Sequence, residues 1–205
     1  MADPALAAEF LAWTARTIAG VTVRWAGCEP SVRQRIYFAN HSSHFDFLVL
    51  WGSLPGEVRA ATRPVAAKDY WAAGPVRRYL ATRVFRAVLI DRIQVTRSNN
   101  PLAEALEAMG DRTSLILFPE GTRGTSVEIQ PFKSGLYHLA RKRPDVDLVP
   151  VYIDNLNRVL PKGEFIPVPL LTTVTFGVPI RIAEKEARDP FLNRARGALR
   201  ELRDE

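Results

Sequence analysis

Two histidines and an aspartate fall within six residues of the stretch FANHSSHFDFLVLW, residues 38–51. An aspartate that accepts a hydrogen bond from one imidazole nitrogen fixes the tautomer and leaves the other nitrogen free as a base. His41 and Asp46 are five positions apart, and five residues of regular helix turn roughly 140°. The two side chains can therefore meet only if His41 lies in the turn before a helix and Asp46 in its first turn. His44 adds a second possibility, in which His41, His44 and Asp46 ligate a metal, since catalytic zinc takes three protein ligands plus water. The remaining histidine, His138, has no ligand-like spacing around it, and the sole cysteine, Cys28, is distant. No metal is expected. Ser42 and Ser43 lack the glycine-flanked elbow of a nucleophilic serine and are expected to cap the following helix.

A second cluster is FPEGTRG, residues 118–124. Its glycines, Gly121 and Gly124, let backbone amides approach an anion, Thr122 adds a hydroxyl, and Arg123 offers a two-pronged donor for phosphate. The P-loop pattern is absent. LIDR (89–92) delivers Asp91 and Arg92 to the end of an apolar strand, either as a phosphate-binding arginine with its orienting carboxylate or as an ordinary ion pair. PFKSG (131–135) opens a helix and places Lys133 near the same turn.

The elements that must hold these residues alternate. RIYFAN (35–40) reads as a strand and Phe45 to Leu54 as a helix ended by Pro55-Gly56. VRAAT (58–62) and VAAK (65–68) are short strand candidates. A helix is expected over Tyr70 to Thr82 with a break at Gly74-Pro75, and a strand over Phe85 to Ile90. Asn99 or Asn100 caps a helix that has Pro101 at its first position and runs to Met109 before Gly110. Strands follow at SLILFPE (114–120), VDLVPVYI (146–153) and TTVTFG (172–177), with helices over Phe132 to Arg141 and Pro190 to Asp204. Pro150 within an apolar strand suggests an edge position or a break. This alternation predicts a single α/β domain with a central mixed, largely parallel sheet flanked by helices. In such sheets sites gather at the carboxyl ends of strands, where all the candidate motifs fall.

Residues 1–25 form a segment apart from the domain spanning 26–205. Asp3 and Pro4 suit the N-cap and first position of an amphipathic helix. Its stripe of Leu6, Phe10, Trp13 and Thr17, with Leu11 and Ile18 beside it, either packs on the domain or lies in a lipid interface. No span of 18 to 20 apolar residues occurs, and the N-terminus does not read as a secretory signal. The formal net charge is +6, which suggests an anionic partner. The excess is concentrated between Arg63 and Arg97, where eight basic residues face two acidic ones. A nucleic-acid partner is not expected, because no recognition-helix signature accompanies the charge. One cysteine fits a reducing, cytoplasmic location.

Taken in order, these motifs resemble those of the glycerophospholipid acyltransferase family, whose best known members are the lysophosphatidic acid acyltransferases. Asn40-His41-Ser42-Ser43-His44-Phe45-Asp46 is similar to N-H-x-S-x-x-D, RAVLIDR (86–92) to G-x-x-F-I-D-R, Phe118 to Gly124 to F-P-E-G-T-R-S/G, and Val149-Pro150-Val151 to V-P-V. The resemblance implies a general base at His41 with Asp46 as its partner. It implies acceptor phosphate on Arg92, Glu120, Gly121, Thr122 and Arg123, with Asn40, Ser43, Asp91, Lys133 and Pro150 in support. It implies acyl transfer from acyl-CoA or acyl-carrier protein to a lysophospholipid hydroxyl, with no cofactor and peripheral attachment to an anionic inner membrane face. Arg86 replaces the family glycine and Leu89 its phenylalanine; both departures bear on the acceptor head group rather than on the reaction.

Overall fold

A computed structural model describes residues 3–43, 45–71, 74–91, 100–122, 124, 128–154 and 171–204. Helix α1 (Pro4–Ile18) is followed by strands β1 (Val21–Trp25) and β2 (Arg35–Ala39), helices α2 (Asp46–Ser53) and α3 (Gly56–Ala60), and strand β3 (Thr62–Ala67). Short helices α4 (Lys68–Trp71) and α5 (Pro75–Tyr79) lead into a π-helical turn at Leu80–Val84 and strand β4 (Val88–Ile90). Then come α6 (Pro101–Met109), β5 (Ser114–Leu117), α7 (Gly135–Lys142), β6 (Asp147–Asp154), β7 (Thr172–Phe176) and α8 (Arg188–Asp204).

Among the described residues the strands form one seven-stranded sheet in the order β1-β7-β6-β2-β5-β3-β4. Only the β6–β7 pair is antiparallel. β2 lies centrally and all five of its residues are buried, as expected of a parallel strand covered on both faces. Its side chains alternate between two cores. Ile36 and Phe38 pack with α6, α7 and α8 residues such as Met109, Leu136 and Phe191. Tyr37 and Ala39 pack with α1 and α2 residues such as Ala12, Val49 and Leu50. The single-domain, largely parallel α/β architecture is thus as expected.

Several elements depart from expectation for identifiable reasons. VRAAT is mostly helical: Pro55 sets the turn, the Arg59 N–H bonds the Pro55 carbonyl at 2.8 Å, and Val58 and Arg59 turn inward together. Two β-branched residues in five do not outweigh that geometry. The expected strand from Phe85 begins only at Val88, because the preceding π-helical turn runs on to Val84 and Arg86 adopts φ +49°. The helix expected from Phe132 begins at Gly135; Phe132 instead meets Phe38 edge-on. β1 was not foreseen, since VTVRW is only half-buried. Pro150 sits in an interior strand rather than at an edge, between β2 and β7. Its carbonyl accepts from the Gly177 N–H at 2.9 Å, so its nitrogen faces the same neighbour just beyond Phe176, where β7 ends. The missing N–H therefore costs no ladder bond.

The α1 stripe points away from the protein. Ala12, Ala15 and Ala19 are buried, and a Cβ at Gly52 of α2 would lie 3.2 Å from the Ala12 carbonyl oxygen. Small residues thus bring the two helices into close contact. The opposite face leaves Leu6, Phe10 and Trp13 exposed at 69%, 64% and 57%. No helix among the described residues is long and apolar enough to cross a membrane.

Candidate active site

β2 ends at Ala39, and the chain turns through Asn40 to Ser43 before α2 begins at Asp46. Asn40 closes the strand against β6: its amide donates to the Ile153 carbonyl at 2.9 Å, and its carbonyl accepts the Ile153 N–H at 2.8 Å. Asp46 then occupies the first turn of α2, where the helix dipole favours a carboxylate. It is fully buried, and its Oδ2 accepts from His41 Nδ1 at 2.8 Å and from the Ser42 and Ser43 N–H groups at 2.6 and 2.8 Å. A buried carboxylate without such donors would cost roughly several kcal/mol even after the protein relaxes around it. Because the two N–H groups mark this oxygen as an acceptor, the ring proton sits on Nδ1 and Nε2 is unprotonated in the neutral imidazole. Ser43 Oγ accepts the Phe45 N–H at 3.2 Å just ahead of α2, but Phe45 occupies the N-cap position and no side chain caps the helix, so the capping expected of the serines is not found.

The turn after β5 grips His41 from the other side. Glu120 is 4% exposed. Its Oε1 accepts the His41 backbone N–H at 2.7 Å, and its Oε2 accepts the Gln130 N–H at 2.9 Å. The Gly124 N–H donates to the His41 carbonyl at 2.9 Å. Both backbone polar groups of His41 are thus held by one turn, and the ring stacks on Phe118 at 4.4 Å. Burial raises the Glu120 pKa above its ordinary value, opposed by the two N–H bonds. Glu120 faces inward, onto backbone rather than toward an anion.

Gly121 closes this turn through its N–H to the Phe118 carbonyl at 3.0 Å, with φ +75°. Glycine meets that backbone demand without strain. A Cβ there would also lie 3.1 Å from Lys133 Cγ, so the glycine admits the lysine stem. Thr122 is exposed at the tip of the turn, and Lys133 is exposed beside it, anchored by its N–H to the Pro119 carbonyl at 2.7 Å. Asp91 follows β4 at the same sheet edge and is half-buried. Arg92, Arg123 and His44 lie outside the described residues. Among those described, no group of three or more His, Cys, Asp or Glu is arranged to hold a metal.

His41 opens onto a cavity of about 500 Å³. Its walls are apolar, with Val65, Ile90, Leu102, Ala105, Leu117 and Leu139 among them, while Gly121 and Lys133 stand at the polar end. The sequence reading singled out His41, Asp46 and the turn after β5, but not the cavity walls, the Phe118 stack or the Gln130 contact. Leu102 and Ala105 of α6 line this cavity, which the reading of that helix from its cap and stop residues did not show.

The described arrangement has known counterparts. A family model described as Acyltransferase matches residues 23–154. A 1-acyl-sn-glycerol-3-phosphate acyltransferase of Limnanthes douglasii is 32% identical over 170 residues, covering 80% of this chain and 56% of that protein. The enzyme of the same name from Escherichia coli (strain K12) is 29% identical over 60% of this chain and 51% of its own. The chain spans about half the length of the curated relatives it matches. In fold it is similar to the crystal structure of the 1-acyl-sn-glycerophosphate (LPA) acyltransferase, PlsC, from Thermotoga maritima. The TM-score is 0.77 at 22% identity, over 98% of this chain and 80% of that one.

Proposed function

The chain belongs to the acyltransferase family, and from that premise we propose that it transfers a fatty acyl group from a thioester to the free hydroxyl of 1-acylglycerol 3-phosphate, giving phosphatidic acid. The observation that carries this reading is the His41–Asp46 pair, 2.8 Å apart, at the mouth of an apolar cavity of a size that suits a small-molecule ligand, roughly 300–1,000 Å³.

His41 Nε2 takes the proton from the acceptor hydroxyl as its oxygen attacks the thioester carbonyl. The tetrahedral oxyanion collapses and expels the thiolate, which takes that proton back from His41. The acyl group leaves sulfur for oxygen, and no enzyme-bound acyl intermediate is needed. Asp46 holds the tautomer and balances the transient imidazolium. General-base assistance of this kind supplies about 10²–10⁴ in rate; positioning of the two substrates supplies much of the rest.

Lys133, Thr122 and the Gly121 turn are read as the seat of the acceptor phosphate; the family resemblance adds Arg92 and Arg123, which lie outside the described residues. Glu120 is read as a positioning residue for His41 rather than a phosphate ligand, and Asn40, Ser43 and Pro150 as scaffold. The cavity walls take an acyl chain. The donor is acyl-CoA or acyl-carrier protein. The exposed Leu6, Phe10 and Trp13 face and the basic excess favour peripheral attachment at an anionic membrane, at the inner face of the cell membrane.

The test is thiol release from acyl-CoA and from acyl-carrier protein, with lysophosphatidic acid, with glycerol 3-phosphate and with no acceptor. Release that requires lysophosphatidic acid and vanishes in His41→Ala is expected. Release without acceptor would make the protein a thioesterase, and release only with glycerol 3-phosphate would move the acceptor one acylation earlier.

A further inference from the structure

A second cavity, of about 380 Å³, opens at the far side of the domain between the first turns of α1, helix α3 and the π-helical turn. It borders Thr62, the first residue of β3, whereas His41 and Glu120 follow the last residues of β2 and β5. Thr62 pairs with Ser114, the first residue of β5. The length of β5, about 13 Å at 3.3 Å per residue, therefore separates the two openings along the strand direction.

The lining combines three arginines with an apolar floor. Arg59 is buried, and its guanidinium donates to the Leu54 carbonyl at 3.0 Å, pairs with Glu9 of α1, and lies 5.3 Å over the Trp51 ring. Its charge is thereby satisfied. Arg86 donates to the Ala60 carbonyl, which occupies part of a five-donor fork. Arg83 is exposed and makes no hydrogen bond or ion pair among the described residues. Arg63, bonded through Nε to the Arg86 carbonyl at 2.5 Å, adds a further positive charge beside them. Glu9, committed to Arg59, is the single carboxylate among the described residues of the lining. Trp51, Val84, Phe85, Ala5 and Leu6 supply the apolar surface.

Arg86 holds φ +49°, a left-handed backbone that side-chain-bearing residues rarely adopt. A non-glycine residue there costs roughly 1–2 kcal/mol, and such strain gathers where a side chain has a task. Leu6 belongs both to this lining and to the exposed apolar face of α1. The cavity therefore opens from uncommitted cations directly onto grease. A free inorganic anion would leave that apolar floor unused, and an uncharged lipid would leave Arg83 and Arg86 unpaired.

We propose that this cavity binds one anionic glycerophospholipid of the bilayer surface, its phosphate on Arg83 and Arg86 and its glycerol and first methylenes against Leu6 and Phe85. The site is separate from the groove at His41. It makes attachment selective for lipid charge and fixes the domain through a seated lipid, not through unspecific attraction alone.

The probe is dihexanoylphosphatidylglycerol below its micelle-forming concentration, titrated calorimetrically into the full chain. Arg83→Glu is expected to weaken binding about tenfold or more through loss of charge-assisted bonds. Its melting temperature should not change, since Arg83 holds nothing together, and Arg83→Lys should recover most of the affinity. Equal affinity in wild type and Arg83→Glu would overturn the site. Inorganic phosphate binding as tightly as the lipid would overturn the lipid as occupant. Neither readout involves turnover, so a failure of the acyl-transfer reading would show separately.

Discussion

Glu120 Oε1 accepts the backbone N–H of His41 at 2.7 Å across 79 residues of sequence. Its second oxygen is used equally, on Gln130, so neither oxygen can be exchanged for a donor. In Glu120→Gln the amide NH₂ must face one of two backbone N–H groups. A loss of about 1–3 kcal/mol is expected, or several degrees in melting temperature at about 2–4 °C per kcal/mol for a chain of this size. Turnover should fall with it through a displaced His41. A variant as stable and active as wild type would remove the bracing role.

The same carboxylate sets a pH dependence. Its folded pKa is raised above the ordinary 4.5 by burial, so the folded state binds that proton more tightly than the unfolded chain. The associated stability is complete below about the unfolded value and is lost as pH rises through the folded pKa. Melting curves of wild type and Glu120→Gln between pH 4 and 8 should show the wild-type advantage shrinking as pH rises. An advantage that grows with pH would contradict the burial effect.

Asp46 behaves differently because its three short bonds converge on one oxygen, the other meeting only the rotatable Ser42 hydroxyl at 3.5 Å. Asp46→Asn can keep its carbonyl on His41 Nδ1 and the Ser42 and Ser43 N–H groups and place NH₂ where Oδ1 stood. Geometry survives and charge is lost. Thiol release should drop on the order of 10²–10⁴, with melting lowered by only a few degrees. Near-wild-type turnover would show that the aspartate's charge does no catalytic work.

At Arg86 the comparison is between two truncations. Both Arg86→Ala and Arg86→Gly lose the Ala60 contact, but only alanine retains the penalty of φ +49°. Glycine should be the more stable by about 1 kcal/mol, near 2–4 °C in melting temperature. Equal melting would mean the turn relaxes once the guanidinium is gone.

The two faces of α1 should separate cleanly. Ala12→Leu forces a larger side chain against Gly52 and should cost about 1–3 kcal/mol. Phe10→Ser with Trp13→Ser removes exposed groups and should leave melting within about a degree, since surface changes stay near ±0.5 kcal/mol. In vesicle flotation the double variant should bind anionic vesicles less well than wild type. Retained binding would take the helix face out of the membrane.

Local signals made much of this legible. Asn100 caps α6 through a 3.0 Å bond to the Leu102 N–H, with Pro101 next, and the buried-type runs at β2, β5 and β6 fall where their composition puts them. The His41–Asp46 contact was allowed by spacing once a strand-turn-helix reading put the histidine ahead of the helix, and the family resemblance implied it. What escaped was set by tertiary context. Whether the α1 stripe faces in or out depends on Gly52 in another helix, and Pro150 is tolerated centrally because β7 stops beside it. Glu120 belongs to an anion-binding type of turn by sequence, yet its direction is fixed by two backbone donors from elsewhere in the chain.

The placement of β2 between β5 and β6 has a kinetic consequence. Residues 35–39 pair with partners near 115 and 150, so closing the central sheet requires loops of roughly a hundred residues. Pairings of that range form slowly and raise the barrier to folding. His41 acquires its ring partner locally but its backbone clamp only when those loops close. A chain halted earlier would carry the histidine, the aspartate and no working base, and recovery of activity after dilution from denaturant should lag behind the appearance of helix.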